Sequence, residues 1–160
     1  MISNMIDMIR ILMVCLAFFM GYFLGFGKES YDPVLQIHVM SPLLVCAVAG
    51  ISGLEGLLMG RQSARAKGYE EGSNYQKQSA LAMISMSVVA CTVYFLNWGF
   101  YADMTVMLIF LLFFLLSGIN HALQAIMRKN YKWQNINRPV ITLLMIAGLL
   151  YPLITAFQKM

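Results

Sequence analysis

A chain of 160 residues that is 60% hydrophobic and 11% charged cannot cover itself with polar groups, since soluble domains carry roughly a quarter charged residues. A soluble globular fold is excluded, and lipid has to cover part of the apolar surface. The formal net charge of +4 sits almost entirely in two short polar segments between apolar runs, a pattern that sets membrane topology and gives no sign of nucleic-acid binding.

In chain order, the first expected span is 5–26, whose stretch 11–26 carries no charge. A cleaved signal peptide, leaving four spans, is the alternative; the following Gly27-Lys28-Glu29-Ser30 lacks the small-residue cleavage pattern, so five spans are preferred. Asp32-Pro33 and Ser41-Pro42 both carry the capping side chain and first-turn proline of a helix start. Either the second helix starts at Pro33 and kinks near Pro42, or the span proper starts at Pro42; residues 42–60 match the ~20 residues that a bilayer core requires, so the second reading is preferred, with 33–40 as an interfacial segment. The polar loop 61–78 leads to a third span, 79–97, closed by the interfacial aromatics Trp98, Phe100 and Tyr101. A tight turn leads to a fourth span, 103–127. After a second polar loop, 128–138, Pro139 is expected to open the fifth, 139–157, which Pro152 kinks. The fold class is thus all-α: a polytopic transmembrane helix bundle forming one membrane domain, 1–160.

Five spans put Arg10, Arg61, Arg65, Lys67, Lys77, Arg128, Lys129, Lys132 and Arg138 on one side, and only Lys28 and Lys159 on the other. The positive-inside rule then predicts a cytoplasmic N-terminus with cytoplasmic loops, and a C-terminus on the periplasmic or extracellular face. The basic loops are suited to anionic lipid headgroups.

Gly21-x-x-x-Gly25 and Gly56-x-x-x-Gly60 have the spacing that lets membrane helices approach closely, and Gly50 and Gly53 extend a smooth stripe along the second helix. That helix is expected to be central, packed on the first helix, on another membrane subunit or on a second copy of the chain.

Glu55 is the sharpest signal, an acid about one and a half turns inside the second span. Such a group faces protein or water and has a partner. His121 lies at similar depth on the fourth span, with Asn120 and Gln124 nearby. A Glu55–His121 pair is the expectation, as a structural lock or as a proton or ligand site.

Haem b bridged by the two histidines is excluded, because His38 and His121 fall near opposite interfaces of a ~30 Å core. His38, Met40, Met104 and Met107 form a weak candidate for Cu(I), whose soft ligands they resemble; methionine more often fills apolar gaps. Cys15, Cys46 and Cys91 lie singly in apolar runs and read as small buried side chains. Nucleophile–base pairs, phosphate-binding glycine loops and paired catalytic carboxylates are missing from the sequence, and no cofactor is called for.

Two stretches, 54–83 (LEGLLMGRQSARAKGYEEGSNYQKQSALAM) and 118–152 (beginning GINHALQAIMRKNYKWQNINRP), resemble a family of small uncharacterised bacterial integral membrane proteins. In that family a helix ending in Gly-His precedes a loop with an aromatic residue after glycine, as in Gly68-Tyr69. A later helix bears Gly-x-His, followed by a loop rich in asparagine and aromatics, matched by Asn130-Tyr131 and Asn135. His121 stands where the second histidine falls, whereas Glu55 replaces the first. The resemblance implies the helix order and a bacterial inner-membrane location, and implies no activity. The leading functional expectation is a non-catalytic assembly subunit of a larger membrane complex. The alternatives are a small proton-coupled transporter or channel using Glu55 and His121, and a redox subunit binding quinone near Trp133 and His121.

Overall fold

The computed structural model describes residues 2–27 and 30–159, all helix and connecting turns; Lys28 of the charge count lies outside the described residues. Helix α1 spans Ile2–Phe26, α2 Pro33–Leu58, α4 Asn74–Phe95 and α5 Phe100–Met127. A short helix α3, Gly60–Lys67, follows α2, and α6 spans Trp133–Gln158. Five of the six are long and apolar enough to cross a membrane, because only a helix satisfies its own backbone in hydrocarbon.

Two helix starts differ from the sequence expectation. Helix α2 begins at Pro33 and not at Pro42. The Asp32 carboxylate caps it by accepting from the Leu35 amide at 2.9 Å, with Pro33 pre-set in the first turn. Pro42 lies inside the helix and removes one backbone donor. Just beyond it the chain widens into a π-helical turn, Cys46–Gly50, before α-geometry resumes. Helix α6 begins at Trp133, six residues before Pro139, so that proline too is internal. In both cases a single proline forfeits one hydrogen bond, which tertiary packing offsets.

The polar segment 61–78 is partly helical. Helix α3 restarts at Gly60 after a break at Met59 and stops at Gly68, whose φ of +73° suits glycine. The Gly68 and Tyr69 amides close that end on the Arg65 and Ala64 carbonyls, turning Tyr69 back toward the bundle.

Helix α2 is the best-buried span, packed against α1, α4, α5 and α6. Small residues make this possible. Gly21 and Gly25 of α1 lie against Met40 and Gln36 of α2. Gly50 faces Ser87, and Gly60 faces Gln76, which donates to the Gly60 carbonyl at 2.6 Å. A Cβ on Gly53 would come within 2.8 Å of the Ala80 carbonyl oxygen, and one on Gly56 within 2.8 Å of the Ala80 Cβ. The middle of the bundle is apolar, built from Leu44, Val45, Met107, Phe110, Met145 and Leu149. Phe19, Phe23, Leu112, Leu116, Leu143 and Leu144 point outward, as expected of a surface that meets lipid.

Candidate functional site

The charged residues of the spans gather at the two ends. At the end that carries both basic loops, Glu55 is 5% exposed. It accepts from Arg10 Nη2 at 3.0 Å and from the Ser63 hydroxyl at 2.7 Å. Arg10 also pairs with Asp7 one turn earlier on α1. The break at Met59 allows this arrangement, since it swings α3 so that Ser63 faces back onto Glu55. A buried carboxylate is tolerable only when paired and hydrogen-bonded, and Arg10 and Ser63 supply both.

His121, also 5% exposed, sits in an adjoining cluster. Its Nδ1 lies 2.7 Å from the Tyr69 hydroxyl and 2.8 Å from Asn135 Oδ1. The Tyr69 hydroxyl donates to the same Asn135 oxygen at 2.8 Å, and Asn135 Nδ2 donates to the Asn130 carbonyl at 3.0 Å. On the far side of the ring, Arg138 Nη1 donates to Nε2 at 3.2 Å. Arginine has no lone pair to offer, so Nε2 is the acceptor and the network assigns the proton to Nδ1. The Tyr69 phenol, in the loop after α3, is pushed above its ordinary pKa chiefly by burial, with Arg138 opposing. It therefore remains a donor through neutral pH.

The sequence expectation joined Glu55 to His121. The structure assigns Arg10 and Ser63 to the first and Tyr69, Asn135 and Arg138 to the second. Arg138 stands within electrostatic range of Arg10, Asp7 and Glu55, linking the two clusters by field. Asn120 is exposed and Gln124 half-buried, and both line a half-open cavity of about 450 Å³ with His121 and Arg138. Ser52, Ser63, Tyr69, Gln76, Ser79 and Ser117 add polar groups to its wall, while Met83, Phe113 and Phe114 make it apolar farther in. A smaller, more enclosed space of about 40 Å³ lies behind Arg138, against Asp7, Arg10, Ser52 and Thr142, with room for a very few waters.

In the sequence Arg10, Arg138 and Tyr69 read as interfacial or loop residues. A basic residue at a span end has one sequence signature whether it snorkels to water or turns inward to an acid. The one available signal was Asp7 and Glu55, acids near this end that call for a cation at matching depth.

At the opposite end, His38 Nδ1 meets Asp103 Oδ2 at 2.8 Å and the imidazole stacks on Tyr94, with ring centres 4.7 Å apart. Asp103 is 2% exposed, and among the described residues its other oxygen lacks a hydrogen-bond partner. The methionines named with His38 as soft-metal candidates each have packing neighbours of their own. Met40 packs under Gly21 and takes a weak bond from Gln36 at 3.5 Å, Met107 lies in the central core, and Met104 packs with Ile37 and Ala156. Among the described residues no three His, Cys, Asp or Glu side chains cluster as metal ligands. Cys46 and Cys91 are not isolated from one another: their sulfurs are 3.4 Å apart across α2 and α4.

Residues 7–159 match the model of a family of unknown function (DUF6790). No curated protein and no solved structure matches the chain.

Proposed function

Because the chain belongs to that family of unknown function, its role has to be read from the site itself, and we propose that it is a membrane-embedded binding protein of carrier type. Its binding site is the vestibule at the basic end, walled by α2, α4, α5 and the turn carrying Tyr69. The observation that carries the reading is the 450 Å³ cavity in which His121 and Arg138 converge with hydroxyl and amide side chains. Concave sites with a few fixed polar groups on an apolar wall are the usual form of small-ligand sites, and ionisable residues within spans mark ligand or ion paths.

The glycine stripe was the positive argument for an assembly subunit. Gly50, Gly53, Gly56 and Gly60 all lie against α4, and Gly21 and Gly25 against α2. They are used within the chain, so they no longer argue for a partner. A quinone site shared by Trp133 and His121 also loses support, because Trp133 is exposed and lies outside the lining of the vestibule. The distribution of Lys and Arg supports an orientation with the vestibule facing the cytoplasm of a bacterial inner membrane.

The test is thiol accessibility in sealed vesicles of known orientation. Asn120→Cys should react with a membrane-impermeant thiol reagent from the side of the basic loops alone. Protection from both sides would contradict a water-reachable vestibule.

A further inference from the structure

The two arginines of the site differ in what neutralises them. Arg10 touches both acids, Asp7 and Glu55. Among the described residues, Arg138 makes its one direct hydrogen bond to a neutral ring nitrogen, His121 Nε2. It also lines the vestibule. A guanidinium has five donors in a planar fork suited to the paired oxygens of a phosphate or carboxylate. Among the described residues the fork of Arg138 is thus hydrogen-bonded on one edge to His121, with Glu55 and Asp7 in electrostatic range.

The vestibule is also graded along its length. Gln124, His121 and Asn120 lie toward the basic end of α5, Ser117 one turn deeper, and Phe113 and Phe114 deeper again. At 1.5 Å per residue, Gln124 to Phe113 covers about 16 Å of helix. Met83 of α4 faces the deep part. Ser79 of α4 and Asn120 of α5 are exposed at the mouth, which therefore opens in the gap between these two helices. Glu70 also lines the cavity, as an exposed residue of the aqueous rim.

Resting on the vestibule reading above, we infer that the ligand is an anionic amphiphile entering between α4 and α5. Its phosphate or carboxylate head meets Arg138, with Asn120 and the Ser117 hydroxyl alongside, and its apolar tail lies over Met83, Phe113 and Phe114. Basic pockets between spans are sites for anionic headgroups, and the apolar floor adds affinity in proportion to the area it covers.

Calorimetric titration of the full chain in a neutral maltoside detergent tests this with three probes: dihexanoyl phosphatidic acid, dihexanoyl phosphatidylcholine and inorganic phosphate. The phosphatidic acid is expected to bind at least tenfold more tightly than either of the others. Arg138→Gln should abolish that preference and Arg138→Lys retain part of it. Met83→Trp should weaken the lipid alone and leave inorganic phosphate unchanged, a comparison that stands even if Arg138→Gln fails to fold. Equal affinity for the two lipids, phosphate binding as tight as the lipid, or wild-type binding by Arg138→Gln would each overturn the inference. If Asn120→Cys is labelled from water yet no anionic preference appears, the ligand class is wrong and the vestibule stands. If Asn120→Cys is protected, the vestibule itself is wrong.

Discussion

Arg10 and Glu55 are 45 residues apart in the chain and 3.0 Å apart in space, joining α1 to the central helix α2 at the basic end. Arg10 serves Asp7 as well, so its two substitution partners differ in what they strand. Arg10→Met removes the one cation hydrogen-bonded to Asp7 and Glu55 among the described residues, leaving only the field of Arg138, and should cost about 3–5 kcal/mol. Glu55→Gln keeps the Arg10–Asp7 pair and an acceptor for Ser63, and should cost about 1–2 kcal/mol. Denaturant or thermal unfolding in detergent measures both. Equal losses would mean that the three groups do not share one array.

The close approach of α2 and α4 gives a rescue experiment. Gly56→Ala drives a methyl into the Ala80 side chain, whereas Gly53→Ala meets the Ala80 backbone oxygen and the Ile84 side chain. Each should destabilise by about 1–3 kcal/mol. Ala80→Gly removes the obstacle for Gly56→Ala and should restore most of its stability, while giving Gly53→Ala little relief. Melting temperatures of the two double variants decide the matter. Equal rescue would indicate that the helices slide apart freely.

Tyr69 ties the turn after α3 to His121 and Asn135. Its phenol is raised above the ordinary value chiefly by burial. For a raised acid, the neutral form is the one the fold prefers. Its contribution is then complete below about pH 10, the ordinary tyrosine value, and fades as pH climbs through the raised value. The stability difference between wild type and Tyr69→Phe should accordingly be flat from neutral pH to about 10 and shrink above it. A difference that stays constant beyond that range would show that the phenol titrates alike in the folded and unfolded chain.

The Cys46 and Cys91 sulfurs, 3.4 Å apart, have to close to about 2.05 Å to bond. Treatment with a membrane-permeable oxidant should therefore remove these two thiols together, with a mass loss of about two hydrogens within one chain, while Cys15, exposed on α1, stays free or links between chains. Independent oxidation of Cys46 would contradict the packing of the π-helical turn on α4.

The five long helices were legible because hydrocarbon imposes a length and a composition that a sequence displays directly. The start at Pro33 was legible as one of two candidates and the start at Trp133 was not, because Pro42 and Pro139 also read as helix starts and here sit inside helices whose neighbours offset the missing bond. Glu55 and His121 stood out as ionisable groups within spans. Their partners did not, since Arg10 and Arg138 look like topogenic charges and Tyr69 like a loop aromatic. Only the break at Met59 and the left-handed turn at Gly68 bring Ser63 and Tyr69 back to the site, and neither leaves a periodic trace in the sequence. Asp103 escaped notice for a related reason: it reads as a first-turn acid of α5 and is in fact buried against His38.

Spin-label accessibility at two adjacent positions of α5 reports whether water enters the bundle. Leu116 faces outward and Ser117 lines the vestibule. In a bilayer, a label at Leu116→Cys should collide freely with dissolved oxygen and scarcely with a water-soluble nickel chelate, and a label at Ser117→Cys should show the reverse. The same oxygen-dominated profile at both positions would mean that no aqueous vestibule enters the membrane there.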